Sequence, residues 1–186
     1  MRADRDADVW SPNAGLAYEF CQQTAAWLTL SRSFRLPSGF DIGAAGSSPG
    51  QLFFANPEVD EVRADTIEIG LRADRWRYLG GSAVFYYREV TDDILFDPFT
   101  FQNQNFDSVR RGVELSLNSR PADWLDLYFT TAWTDAEFDG GTFDGNALPL
   151  VPEWQLTGGV NVRPLPGWQL TLETIHVRGQ VSVNDL

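Results

Sequence analysis

Lysine is missing from this chain of 186 residues, which has a single cysteine, a single histidine and a single methionine. With Cys21 alone, an internal disulfide and a cysteine-rich zinc site are excluded. With His176 alone, so is a multi-histidine metal centre. The 14 basic residues are all arginine and face 26 acidic ones, for a net charge of −12. An acidic chain without a basic stripe argues against nucleic acid as the main partner. Long apolar runs are also lacking. The longest is Ala83-Val84-Phe85-Tyr86-Tyr87, far short of the ~18–20 residues of a membrane helix. A helical membrane protein is excluded. A membrane β-barrel is not, because its strands need only ~9–11 residues with alternating faces. Met1-Arg2-Ala3-Asp4-Arg5-Asp6 has no apolar core, so it is no signal peptide. The protein is then expected to stay inside, or this chain lacks its true beginning.

What the chain does have is aromatics, 13% of all residues, and frequent alternation of apolar and polar positions. Thr66 to Arg72 puts Ile67, Ile69 and Leu71 on one face, with Glu68 and Arg72 on the other. Gly112–Asn118, Asp126–Thr131, Trp154–Arg163 and Trp168–Glu173 alternate in the same way. Eight strands are predicted, over 13–20, 25–35, 63–73, 79–91, 107–118, 124–136, 153–163 and 168–179. Their connections alternate in length. Short ones fall near Cys21–Thr24, Asp74–Arg77, Ser119–Asp123 and Pro164–Gly167. Long ones run from Leu36 to Val62, Thr91 to Phe106 and Glu137 to Pro152. Short turns on one side and long loops on the other are the pattern of an outer-membrane barrel. A sandwich would show short turns at both ends.

Tryptophan placement agrees. Trp27, Trp76, Trp124 and Trp168 stand beside the short turns, at spacings of 49, 48 and 44 residues. Trp10, Trp133 and Trp154 fall toward the long loops. Indole rings favour the membrane–water interface. The odd separation of Trp124 and Trp133 puts them on opposite faces, unless Trp124 belongs to the turn or a bulge intervenes.

Several segments carry a resemblance to a known family. Trp10-Ser11-Pro12-Asn13-Ala14-Gly15-Leu16-Ala17-Tyr18 resembles the SPxxGLxY opening of a strand in TonB-dependent outer-membrane receptors. Leu28 to Ser38, with Ser33-Phe34-Arg35-Leu36-Pro37-Ser38, is similar to their SxSFRxPS strand. Asn56-Pro57-Glu58 followed by Glu68-Ile69-Gly70-Leu71-Arg72 resembles their NPxLxPE…EIGLR box. Tyr87, Asp92-Asp93-Ile94, Asn105-Phe106 and Arg111-Gly112-Val113-Glu114 resemble Y…DxI…N…RGVE. Gly145 to Trp154 looks like GxxLPxVPxH, with Glu153-Trp154 where a His or Lys is common, and Asn184-Asp185 is similar to a later loop motif. Six pieces in the right order cover the chain from about Trp10 to Leu186.

The resemblance implies an all-β, antiparallel, up-and-down transmembrane barrel of 22 strands, of which residues 1–186 are about eight. It implies residence in the outer membrane of a Gram-negative bacterium. It also implies a plug domain and a short box touching TonB, neither of which this sequence contains. The last strand here runs toward the long-loop side, so an odd number of strands, three, is expected to be missing. The expected function is a fragment of a receptor for energised uptake of a ferric siderophore or similar scarce nutrient. Its partners would be outer-membrane lipid, the plug and through it TonB, and the small ligand; no cofactor is expected. Two other readings stay open: a self-contained eight-stranded outer-membrane barrel, and a soluble β-sandwich binding module or glycan-active enzyme.

No catalytic constellation stands out. Asp92-Asp93 with Asp97 are paired carboxylates of the kind used in acid–base work, but a solvated loop explains them better. Asp135, Glu137, Asp139 and Asp144 around Gly140-Gly141 miss the spacing of a calcium loop. His176 has no nucleophile partner and is expected in the lumen or at the interface. Cys21 is read as a small residue by a turn, and no Gly-rich phosphate loop is present. In the family reading the ligand-facing candidates are Phe53, Phe54, Phe99, Phe101, Gln102 and Asn103, with Phe96 nearby. Anchoring of the loops or the aromatic belt is the competing role. Glu68, Arg72, Glu114 and Arg163 are candidates for contact with the plug.

Overall fold

The computed structural model describes residues 9–42, 55–76 and 78–182, with the side chains of Arg75 and Trp76 left aside. Eight strands follow in chain order: β1 (Asn13–Cys21), β2 (Thr24–Arg35), β3 (Val62–Trp76), β4 (Leu79–Asp97), β5 (Gln102–Ala122), β6 (Leu125–Phe138), β7 (Trp154–Val162) and β8 (Leu170–Arg178). They form one sheet in that order, each strand antiparallel to the next. The up-and-down all-β expectation holds. Among the described residues the sheet is a single layer with β1 and β8 as its edges. It is therefore neither a sandwich of two sheets nor a small barrel closed on itself.

Register sorts the side chains by chemistry. Ile67, Ile69 and Leu71 of β3 pair with Tyr87, Phe85 and Ala83 of β4 and with Leu30, Leu28 and Ala26 of β2. The same face continues through Val113, Leu115 and Leu117 of β5 to Trp133, Thr131 and Phe129 of β6. The opposite face carries Glu68, Arg72, Ser82, Arg88, Glu114, Ser116 and Thr130. The apolar face is left bare: Ile69 is 53% exposed, Phe85 47% and Leu172 68%. In water such a surface would be unstable; against acyl chains it is the favourable arrangement. On β6 the outward run from Leu125 to Trp133 is about 26 Å along the strand at ~3.3 Å per residue, or roughly 20 Å tall at the usual tilt. That is a little under the ~25 Å apolar band of a transmembrane barrel. Charge begins just beyond it, at Asp65, Arg111 and Asp135. Arg32 grips both oxygens of Asp65 at 2.7 Å, and Arg111 binds Asp135 at 2.6 and 2.9 Å.

The tryptophans divide. Trp124 lies in the turn before β6 and is 53% exposed, and Trp168 lies in the β7–β8 turn, 70% exposed. Placing Trp124 in the turn removes the parity conflict with Trp133. Trp133 and Trp154 are direct cross-strand partners on the apolar face. Trp27 departs from the interface expectation. It pairs with Gly70 on the polar face, and a Cβ at Gly70 would overlap its ring. The cause is the glycine, which opens a space that the indole covers. Tyr86 does the same over Gly112, with its hydroxyl 2.8 Å from Thr134 Oγ1 one strand further on. Tyr128 crosses Gly159 to hydrogen-bond Glu173.

One connection was expected to be long and is not. Thr91 to Phe106 is a hairpin: β4 and β5 extend past the band and meet at a tight turn, residues 98–101. Asp92 takes a positive φ of 58° where the register slips between Val90 and Asp93. Asp97 closes the tip, accepting from Phe99 N and Thr100 Oγ1, both at 2.8 Å. Asp followed by Pro98 is a turn-starting pair.

Candidate functional site

The long-loop end of the sheet is where side chains from distant parts of the chain converge. After β2 the chain forms α1 (Gly39–Ile42). Ser38 caps it: Asp41 N donates to Ser38 Oγ at 3.3 Å, and Ser38 N donates back to Asp41 Oδ2 at 2.7 Å. This is a reciprocal capping box. Arg35 adds a hydrogen bond to Asp41 at 2.8 Å. Burial alone would raise the Asp41 carboxyl, but the bonds from Ser38 and the Arg35 guanidinium prevail and hold it below its usual range. The Phe34-Arg35-Leu36-Pro37-Ser38 motif is therefore a strand end followed by a helix cap.

Asparagines then staple the loop to the hairpin. Asn56 Nδ2 donates to Asn103 O at 2.9 Å, and Asn103 Nδ2 donates to Asp41 O at 3.2 Å. Asn105 accepts from Asp60 N at 2.8 Å and donates to Asp92 O at 2.7 Å. Beneath these bonds Val59, Val62, Val90 and Ile94 form a small core with Ile42 and Ala64 against it. A second core forms where the β6–β7 loop folds back. Leu148 N donates to Ala136 O and Phe138 N to Asn146 O, seating Leu148 and Phe143 on Ala136 and Phe138. Phe106 and Leu95 of the hairpin complete it.

The sequence candidates fall as follows. Phe99 and Phe101 lie at the hairpin tip, 71% and 46% exposed. Phe99 stacks on Phe143 at 6.0 Å between ring centres, and Phe101 meets Phe96 edge-on. Gln102 pairs with Asp97 across the hairpin, and Asn103 is engaged in the staple just described. Phe53, Phe54 and Asn184-Asp185 lie outside the described residues. Asp92, Asp93 and Asp97 all hold the hairpin together: Asp92 at the bulge, Asp93 bound to Ser108 and Arg110, and Asp97 in the turn. Asp144 accepts from Gly140 N within its own loop, and Asp135 pairs with Arg111. Among the described residues no three His, Cys, Asp or Glu are placed to hold a metal. His176 pairs with Leu156 on the outward face, which settles its side of the wall.

Sequence reasoning missed the polar hollow on the inner face. Glu68, Tyr86, Arg88, Arg110, Glu114 and Thr134 line about 240 Å³, and Val151 of the folded-back loop reaches its edge. Arg88 Nε donates to Thr66 Oγ1 at 3.0 Å, and Arg110 is held by the buried Asp93 carboxylate while its Nε makes no hydrogen bond. Lower down, Asp126 joins Arg120 at 2.6 Å and Arg163 at 2.5 Å. Of the four residues picked for plug contact, Glu68, Arg72 and Glu114 share this inner face by register, and Arg163, just past β7, reaches it through its ion pair with Asp126. Mutual pairing of arginines and carboxylates across strands was the signal available, once register was known.

An oily exterior, a polar interior and loops folded over one end define the wall of a membrane-spanning β-barrel. No helix among the described residues is long and apolar enough to cross a membrane. A family model for the TonB dependent receptor-like β-barrel matches residues 2–185, and the chain belongs to that family. Its members are receptors of the Gram-negative outer membrane rather than enzymes. Solved structures agree on the fold. The copper transporter OprC superposes with a TM-score of 0.72 at 18% identity, over 90% of this chain and 25% of that one. The ferric-catecholate import receptor Fiu from K12 E. coli gives 0.66 at 16%, over 89% and 24%. The siderophore receptor PiuA from Acinetobacter baumannii gives 0.64 at 20%, over 89% and 25%. The chain thus spans about a quarter of the length of these receptors.

Proposed function

We propose that the chain is part of the barrel of an energised importer for a metal chelate, with a ferric siderophore as the leading cargo. The observation that carries this reading is the reversed sheet, apolar outside and polar within. A plug domain from outside residues 1–186 would sit against the polar face, beside Glu68, Arg72, Glu114 and Arg163, and would pass the pull of TonB to the lumen. Remaining strands would close the wall between β8 and β1. Ferric siderophores fit the likeness to Fiu, a ferric-catecholate import receptor, and to PiuA, a siderophore receptor; the likeness to OprC, a copper transporter, makes copper the alternative cargo. The exposed hairpin-tip rings Phe99 and Phe101 are our first choice for ligand contact, with Gln102, Asn103, Phe53 and Phe54 after them.

The test is uptake of radiolabelled ferric siderophores by cells whose only receptor is the full-length protein carrying this segment. Iron accumulation that stops when TonB is deleted supports the reading. Copper-only or TonB-independent uptake overturns it. Phe99→Ala with Phe101→Ala should weaken binding of the imported chelate about tenfold by loss of aromatic contact; unchanged affinity removes these rings from the site.

A further inference from the structure

The polar hollow of the inner face sets two arginines against each other. Arg88 of β4 and Arg110 of β5 are direct cross-strand partners, and both line the hollow. Like charges placed directly opposite destabilise a sheet. The protein relieves only one of them. Arg110 is bound to the buried Asp93. Arg88 makes no ion pair among the described residues and holds only the Thr66 hydroxyl. We propose that the two arginines are a seat for a carboxylate, and that the cargo is a metal chelate with free carboxylates, of the α-hydroxycarboxylate class. The proposal rests on the import reading above and narrows its cargo.

Unspent donors carry the argument. A guanidinium has five N–H donors. Arg88 spends one, from Nε to Thr66 Oγ1 at 3.0 Å. Arg110 spends Nη2 on Asp93, and its Nε makes no hydrogen bond. Tyr86 Oη and Thr134 Oγ1 stand 2.8 Å apart on the same hollow. Their bond uses one hydroxyl proton and leaves the other for a ligand oxygen. Guanidinium N–H groups match the two oxygens of a carboxylate as a fork, and the spare hydroxyl serves an α-hydroxyl beside it. Glu68 and Glu114 line the same hollow and fall to the plug in the import reading. Once paired there, they leave the arginines as its uncompensated charge. The volume, about 240 Å³, is below the ~300–1,000 Å³ of a whole-ligand pocket, so the hollow takes a carboxylate arm of the chelate. A tris-catecholate presents flat rings that favour aromatic and apolar faces, and this lining is mostly polar.

The experiment is binding of three ferric chelates to the full-length protein in detergent, read by quenching of tryptophan fluorescence. The probes are ferric citrate, a ferric tris-catecholate and a ferric trihydroxamate. Ferric citrate should bind at least tenfold more tightly than either of the others. Arg88→Gln should weaken ferric citrate at least tenfold and leave the other two within about twofold. Arg88→Lys keeps the charge but loses the fork, and should weaken ferric citrate about threefold. Arg120→Gln, at the short-turn end, should bind as the wild type does. Heat-modifiable mobility shows that each variant is folded. Tighter binding of the catecholate or the hydroxamate by the wild type overturns the proposal. So does an Arg88→Gln protein that loses all three chelates alike, the result if a plug carboxylate fills the seat. In both cases TonB-dependent iron uptake by the same protein keeps the import reading standing. Uptake that is absent or independent of TonB removes that reading, and this proposal with it.

Discussion

Trp27 and Gly70 show how a residue's neighbour across the sheet, not its place in the chain, decides what it does. Read along the sequence, Trp27 is one of a regular series beside short turns. Read across strands, it is the lid over a glycine. Gly70→Ala forces the indole aside, because the new Cβ would overlap the ring. A loss of about 1–3 kcal/mol is expected for such overpacking. Gly158→Ala, whose Cβ would meet nothing nearer than 3.8 Å, should stay within about 0.5 kcal/mol. Urea titration of the membrane-folded full-length protein distinguishes the two. Asp41 gives a second residue-scale prediction. Its folded-state pKa is depressed, so the stability it adds to the helix cap is complete above the ordinary carboxyl range. It is lost as pH falls through the lowered value. Hydrogen exchange at Ile42 N, bonded to Ser38 O at 3.1 Å, should lose protection on that acid limb after correction for intrinsic rates. Asp41→Asn should lack the protection already at neutral pH. A pH-independent protection in the wild type would refute the linkage.

At the scale of elements, β3, β5, β6, β7 and β8 could be read from alternation, because each faces two different media, whereas Ser82 to Arg88 of β4 is apolar on both faces and its orientation came only with the register. Ile67, Ile69 and Leu71 against Glu68 and Arg72 is a pattern with one solution. What alternation hides is where a strand leaves the membrane and continues. Beyond Val90 both faces of the β4–β5 hairpin are wet or covered by loops, so the period-2 signal fades although pairing goes on to Asp97 and Gln102. The staples, Asn56, Asn103 and Asn105, were visible only as polar loop residues, since their partners lie more than forty positions away. The Phe138, Phe143 and Leu148 core was equally hidden, because no period links residues of a folded-back loop. That core is what holds the β6–β7 loop down. Leu148 is 1% exposed, and Leu148→Ala should cost roughly 2–5 kcal/mol locally. Limited proteolysis of the folded protein should then cut between residues 139 and 153 while the barrel bands stay intact. Resistance equal to wild type would show that backbone bonds alone retain the loop.

For the whole molecule the decisive quantity is the unpaired edge. Among the described residues, β1 and β8 each run nine residues with one side hydrogen-bonded and the other open. In hydrocarbon each unmatched N–H or C=O costs several kcal/mol, and a few such groups exceed the net stability of an ordinary domain, ~5–15 kcal/mol. Closing eight strands on themselves would pair the edges, but only with a tilt and stagger unlike those of a wide barrel. The aromatic bridges resist that change. Tyr86 reaches over Gly112 to Thr134, and Tyr128 over Gly159 to Glu173, and each bond ties three neighbouring strands in their present stagger. Residues 1–186 produced alone should therefore aggregate in detergent rather than give a heat-modifiable, monomeric species. On the proposed reading, supplying further barrel strands as a separate chain should rescue folding by pairing both edges. Cooperative folding of the isolated chain, with β1 and β8 protected from hydrogen exchange, would mean that the sheet can close on itself after all and would overturn this prediction.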